Sequence, residues 1–477
     1  MIRNLIDGTW RACADPVGVD LENPATGEVT DPALGSSPTE VDEALAAADA
    51  LGAWTAPAEE RATVCESIAA AVAAAAPEIV ALESRATGVP IRQTTGLGMI
   101  LGGAFALAAG QLRAGILTST ATREDGREVL VERLPWGPAA CLVPWNAPAP
   151  MAAHKVANAL AAGCPTILKP SEYAPYGTER LAEVIDTVLR EAGAPAALFQ
   201  LLHGGAAVGS QVVSDPRIRA VSFTGGLGGG RAVAAACAYD IKPVQLELGG
   251  NNALIALPDA DEDAVARAAA DLLTTLNGQW CRALGRLIVP AGREEALSAA
   301  VLRRVGNLQT GDPANEATDY GPLIHSGHRA AVVKARDALG GTVLSAELAG
   351  PGNTLAPSLV VGADPADTTD EIFGPVAAVH GYSSIDEAVA LANGTRYGLE
   401  GYVFGADEEA ALAVAKRVRA GEVKVNGSSI MSLHLFTPRP AWGISGYSEE
   451  GTAETLRFFT NPRVVGVENG FALHSRS

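Results

Sequence analysis

Cysteine is scarce and dispersed. The residues at 13, 65, 141, 164, 237 and 281 are the only six, and no two of them form a C-x-x-C pair. That excludes a disulfide framework and a thiolate zinc site, so no metal is expected, and it agrees with a reducing cytosol. Positive charge is also short. Lys and Arg number 35 against 54 Asp and Glu, a net charge of −19, the wrong sign for clustered contacts to nucleic-acid phosphates. The acidity is spread along the chain, as on a self-repelling, solvated surface. The start, Met1-Ile2-Arg3-Asn4-Leu5-Ile6-Asp7, has no long apolar run of a secretory signal. The expectation is a cytoplasmic protein without nucleic-acid or membrane partners. One uncharged stretch, 93–112, is long enough to cross a bilayer. Its Gln93, Thr94, Thr95 and Gln111, and the G-x-x-x-G of Gly98 and Gly102, predict instead a core helix packed closely through glycine.

What is present is an α/β pattern. At 477 residues and 48% hydrophobic, the chain can build two or three domains with full cores. Ala-rich helices are predicted at 41–50, 58–75 and 78–87, the first with Thr39 as N-cap and Asp42 in its first turn. Strands at 139–143, 166–168, 199–202, 220–223 and 244–248 alternate with helices at 151–162, 178–192 and 231–239. The same alternation continues with helices at 264–276, 293–305 and 327–339 and strands at 287–289 and near 343, 376, 402 and 424. Short apolar strands between longer helices mean parallel sheets covered on both faces, here two open α/β domains. Residues 118–122 and 128–134 read as a hairpin around Asp125-Gly126, and 456–467 reads as a strand.

Three segments carry chemistry. Cys281 lies in Asn277-Gly278-Gln279-Trp280-Cys281-Arg282-Ala283, after a helix-like segment. Glu247 lies in Gln245-Leu246-Glu247-Leu248-Gly249-Gly250, and Asn146 in Pro144-Trp145-Asn146-Ala147-Pro148. A thiol, a carboxylate and an amide donor are the parts that make and break a thioester. The cofactor signal has no strict G-x-G-x-x-G. Instead Phe223-Thr224-Gly225-Gly226-Leu227-Gly228-Gly229-Gly230 follows a strand and opens a helix, where bare backbone can approach a pyrophosphate.

In their order along the chain, these segments resemble the aldehyde dehydrogenase superfamily of the hydrolytic, NAD(P)-dependent type, almost from end to end. The resemblance implies a Rossmann-like nucleotide-binding domain (1–116 and 139–247), a catalytic domain (248–442) and a small β oligomerisation module (117–138 and 443–477) of a homodimer or homotetramer. It implies Cys281 as nucleophile, Asn146 with the Cys281 N–H as oxyanion donors, and Glu247 as the base that activates water against the thioester. Pro144, Trp145, Phe223, Thr224, Gly225, Gly226, Gly230, Leu248 and Gly249 would border the cofactor. Lys169 and Glu172 would hold the adenosine ribose, and Glu172 would repel a 2′-phosphate, favouring NAD over NADP. Glu371 and Phe373, in Glu371-Ile372-Phe373-Gly374-Pro375-Val376, would clamp the nicotinamide ribose and ring.

The chain departs from the family at Gly226 (often Ser or Thr), at Asn251 (usually Lys), in the shortened Pro440-Ala441-Trp442-Gly443-Ile444-Ser445-Gly446, and at Ala147, often an aromatic. The last suggests a wide substrate tunnel lined by Ala147, Met151, His154, Trp280 and Arg282 and closed by 431–436, including Phe436. A bulky or long apolar aldehyde is expected over a semialdehyde, although Arg282 could recognise a carboxylate or sit in a structural ion pair. His154 is expected to be a satisfied or solvated histidine. The rival readings are coenzyme-A acylation, against which Glu247 argues, and a catalytically idle binding or structural relative.

Overall fold

The computed structural model describes residues 2–468; the end of the expected 443–477 module, from 469 on, lies outside the described residues. Two sheets organise the chain. The first has eight strands in the order Thr9–Ala12, Arg3–Ile6, Phe199–Leu201, Thr166–Lys169, Ala139–Leu142, Ala220–Thr224, Val244–Glu247 and Gly446–Tyr447. Its five central strands are parallel, in registers such as Leu142↔Lys169, Phe223↔Leu142 and Thr224↔Glu247. The second has seven strands in the order Thr342–Ser345, Ser358–Val361, Val376–Tyr382, Leu284–Pro290, Asn252–Ala256, Glu400–Phe404 and Glu422–Val425. The strands of this sheet run parallel apart from the Thr342–Ser345 edge. A third sheet joins the hairpin Thr118–Thr122 and Glu128–Pro135 to Thr460–Val465.

The expected alternation is therefore present, with ends that shift for local reasons. The first helix is Pro38–Leu51, and its cap is Ser37, not Thr39. Ser37 Oγ accepts from the Glu40 N–H while the Glu40 carboxylate accepts from the Ser37 N–H, a reciprocal box that outcompetes Thr39. Losing such a cap costs about 1 kcal/mol. The two helices expected at 58–75 and 78–87 are one, Ala58–Thr87, running through Pro77. An interior proline costs roughly 3 kcal/mol, and burial of Ile68, Val72, Ile79 and Val80 on both sides of it offsets that. The C-terminal segment read as one strand begins as a helical turn, Glu454–Phe458, which buries Leu456, and becomes a strand only at Thr460. Two strand pairs before residue 36 were not expected; Arg3–Ile6 and Thr9–Ala12 extend the first sheet, and Asp15–Asn23 pairs with Glu28–Gly35.

The uncharged stretch forms the helix Ile91–Arg113. It and Ala58–Thr87 are both long and apolar enough to cross a membrane, yet they pack on each other through small residues. A Cβ at Gly102 would stand 2.7 Å from the Ala69 carbonyl oxygen, and one at Gly98 would stand 3.3 Å from Val80. Leu101, Phe105 and Leu112 join the same core as Ile68 and Val72.

Candidate active site

The cleft follows from how the sheets face each other. Val143, Lys169, Thr224 and Glu247 leave the C-terminal ends of neighbouring parallel strands in the first sheet, where open α/β sheets bind ligands. Cys281, Glu371 and Phe373 come from segments that enter the second sheet at its N-terminal edge. Between them runs one continuous cavity of about 820 Å³.

Cys281 is held by a strained loop. Leu276, Asn277 and Gly278 have φ of 49°, 59° and 75°, a left-handed run that costs about 1–3 kcal/mol per non-glycine residue. Side chains from elsewhere impose it. Asn277 Nδ2 donates to the Gly88 and Pro322 carbonyls and its Oδ1 accepts from Gly321 N–H, each at 2.9 Å. Gln93 Oε1 accepts from Leu276 N–H at 2.8 Å, and Gln279 Oε1 from Ile324 N–H at 3.0 Å. Asn252 Nδ2 donates to the Cys281 carbonyl at 2.9 Å, and Tyr402 Oη donates to that of Arg282 at 2.9 Å. Asn146 joins this frame, with Nδ2 donating to the Gln279 carbonyl at 2.9 Å. An amide nitrogen carries two N–H groups, so one remains for a ligand.

Cys281 is only partly buried, whereas the other five cysteines are fully buried. Burial pushes its thiol up to about 12, against the opposing pull of the Arg282 charge. Glu247 is pushed up to about 7, first by burial and then by the nearby charge of Glu450. Burial alone would raise Glu450 too, but Lys155, His154 and Arg439 together outweigh it and bring that carboxylate down to about 2. Lys155 is fully buried; its Nζ donates to Glu450 at 2.9 Å and to Ser222 Oγ at 2.8 Å.

The expected cofactor residues Pro144, Trp145, Lys169, Glu172, Phe223, Thr224, Gly225, Gly226, Leu248, Gly249, Glu371 and Phe373 all border the cavity. Lys169 Nζ stands 3.5 Å from Glu172. Thr224 Oγ1 is buried with no hydrogen-bond partner, and a Cβ on Gly226 would meet nothing within 4 Å. Glu371 lies against bare backbone. A Cβ on Gly249 would collide with its carboxylate, and Glu371 accepts from Gly250 N–H at 2.8 Å. Phe373 has φ 55° and is braced from two sides. His328 Nε2 donates to its carbonyl at 3.0 Å, and Trp145 meets its ring edge-on at 5.3 Å.

Two expected residues lie elsewhere. Gly230 is in the helix Leu227–Tyr239 and off the cavity wall; a Cβ there would stand 2.4 Å from Leu248, so glycine lets the helix pack closely on the residue that follows strand Val244–Glu247. Phe436 is 55% exposed and outside the cavity; the segment turns so that Ile430, Met431, Ser432 and Leu435 line it instead. Ala147, Met151, His154, Trp280 and Arg282 do border the cavity. His154 is satisfied, 3.1 Å from Thr455 Oγ1, and burial keeps it neutral. Arg282 is committed to an ion pair, 2.5 Å from Glu400 and 3.1 Å from Glu422. Asn251, in place of the family lysine, donates to the Thr368 carbonyl at 2.8 Å.

Sequence reasoning missed Lys155, Glu450 and Arg439. A lone lysine among the alanines of Pro148–Ala162 is a signal that could have marked Lys155. Arg439 borders the cavity, and its Nε is buried without a hydrogen-bond partner.

A strained thiol loop facing the C-terminal strand ends of an open α/β sheet across one cavity places a nucleophile-type side chain at the cleft where such sheets bind nucleotides. The aldehyde dehydrogenase family pattern matches residues 10–465. The geranial dehydrogenase of Castellaniella defragrans is 36% identical over 311 residues, 63% of this chain and 64% of that one. The aldehyde dehydrogenase C291A mutant from Pseudomonas syringae, solved with NAD+ and octanal, superposes with a TM-score of 0.89 at 31% identity over 97% of this chain and 96% of that one. An NAD-dependent aldehyde dehydrogenase from Sinorhizobium meliloti gives 0.89 at 32% identity over 98% and 95%. The chain belongs to the aldehyde dehydrogenase family.

Proposed function

We propose that this protein oxidises a bulky or long apolar aldehyde to its carboxylic acid with NAD, through a thioester on Cys281. The observation that carries the reading is that Cys281, Glu247 and Asn146 share one cavity with the Lys169, Glu172 and Thr224 strip. NAD, when bound, accepts a hydride. Thr224 Oγ1 and the open backbone at Gly226 suit its pyrophosphate, Glu172 and Lys169 its adenosine ribose, and Glu371 its second ribose. Family structures solved with NAD+ support the cofactor.

Cys281 adds to the aldehyde carbon as its thiol proton passes to solvent water. Asn146 and the Cys281 N–H steady the oxyanion. Loss of hydride leaves the thioester. Glu247 then takes a proton from water, whose oxygen attacks the acyl carbon and releases Cys281 and the acid. Aldehyde, NAD+ and water thus give acid, NADH and a proton. Only ionised Glu247 can act as base. Steady turnover should rise with pH through about 7 and fall about tenfold per unit below it. Stopped-flow traces across pH 5.5–9 check this; a flat profile would assign the base elsewhere.

The apolar body of the substrate is supported by Leu97, Ile100, Ala104, Met431 and Leu435 along the cavity wall. A second reading, a semialdehyde with a distal carboxylate, is favoured by Arg439. Initial rates with octanal and succinic semialdehyde separate them. We expect kcat/KM for octanal to be higher by about tenfold or more; the reverse order would sink the apolar assignment. We assign nucleotide binding to 1–116 and 139–247, the thiol loop and its frame to 248–442, and assembly as a cytosolic homodimer or homotetramer to 117–138 and 443–477. The exposed Leu130, Leu134, Val464 and Val465 of the three-stranded sheet support the last role.

A further inference from the structure

Beside the thiol, four charges occupy the N-terminal edge of the second sheet. Glu400 and Glu422 start neighbouring parallel strands and are register partners. Two carboxylates side by side repel each other, and two cations answer them. Arg282 Nη1 lies 2.5 Å from Glu400 and 3.1 Å from Glu422, and Lys424 Nζ lies 2.5 Å from Glu400. The quartet is nearly dry; the Glu400 side chain is 0% exposed, those of Arg282 and Lys424 4% each and that of Glu422 12%.

Ion pairing does not use all of its capacity. The second oxygen of Glu422 accepts from the Leu433 N–H at 2.6 Å, and Lys424 Nζ donates to the Ser429 carbonyl at 2.7 Å. The segment 429–433 is therefore tied at both ends to the group that fixes Arg282 next to Cys281. Between those ties, Ile430, Met431 and Ser432 form part of the cavity wall. Leu433 itself is 67% exposed, so its side chain contributes little to holding the segment.

We propose that Glu422 is a positioning residue that latches the wall segment 429–433 through the Leu433 N–H, and so sets how well the tunnel grips the far end of a long aldehyde. The proposal rests on the aldehyde reading and adds to it the means by which chain length is selected. A short aldehyde ends near Cys281 and does not reach the latch; a long one lies along Met431.

The test uses the full-length protein with NAD and straight-chain aldehydes from propanal to decanal. In Glu422→Ala, KM for octanal should rise about tenfold while KM for propanal should change less than about twofold. Hydrogen exchange at 430–433 should become faster. Leu433→Pro removes the N–H without touching a charge and should reproduce this profile. Leu433→Ala keeps the N–H and should behave as the unaltered protein. A KM change uniform over chain length, unchanged exchange in Glu422→Ala, or a long-chain defect in Leu433→Ala would overturn the latch. If Glu422→Ala fails to fold, Leu433→Pro decides alone. If the unaltered protein oxidises no aldehyde, the functional reading fails by itself, and the exchange data still decide whether the latch exists.

Discussion

Replacing Cys281 by alanine should cut NADH formation from every aldehyde by about 10⁴-fold or more, while leaving NAD binding intact. No other thiol can stand in. Cys141 and Cys164 are buried beneath the first sheet's core helices, and Cys13, Cys65 and Cys237 are buried as well. Burial pushes Cys13, Cys65, Cys141 and Cys164 up to about 12 as it does Cys281, but none of those thiols lines the cavity that holds Cys281. Accessibility, not acidity, separates the candidate nucleophile from its neighbours. NADH fluorescence with a panel of aldehydes measures the loss, and retention of NAD binding by fluorescence quenching shows that the site is intact. A variant that turns over like the unaltered protein would remove the thioester from the mechanism.

Glu247→Gln should separate the two halves of the reaction. Glutamine keeps the size of the side chain and removes the charge, so acyl transfer to Cys281 proceeds and hydrolysis does not. A burst of about one NADH per site should appear, followed by a steady rate lower by about 10²–10³-fold. Rapid-mixing fluorescence resolves both phases. A linear trace without a burst would mean that acylation had become limiting, contrary to the role proposed for Glu247. Lys155 still neutralises Glu450 in this variant, so the loss reads on Glu247 alone.

Many central strands and helices were legible because short apolar runs and Ala-rich repeats state their own period; the four strands before residue 36 were not. The segments holding Cys281, Glu247 and Asn146 were legible because each carries its turn chemistry beside it, as Gly278 and Gly249-Gly250 do. Helix ends were less so. Ser37 and Thr39 are both plausible caps on paper, and only the reach of Glu40 back to Ser37 decides between them. The residues that pair at long range were not legible at all. Lys155 and Glu450 meet across 295 positions, and Arg282 meets Glu400 and Glu422 across 118 and 140. Hydropathy patterns carry no information on such pairings. Phe436 shows the same limit at short range: its neighbour Leu435 faces the cavity, and nothing in a loop without a period says which of the two will.

The short strand Gly446–Tyr447 closes the edge of the first sheet, and the residues just after it bring Glu450 to Lys155. During synthesis, the cysteine at 281 leaves the ribosome long before that strand exists. Until the residues after it dock, Lys155 lacks its Glu450 counter-ion and the cavity lacks the lining that Glu450, Gly451 and Thr452 supply. A nascent chain therefore carries the Cys281 thiol before the cavity around it is complete.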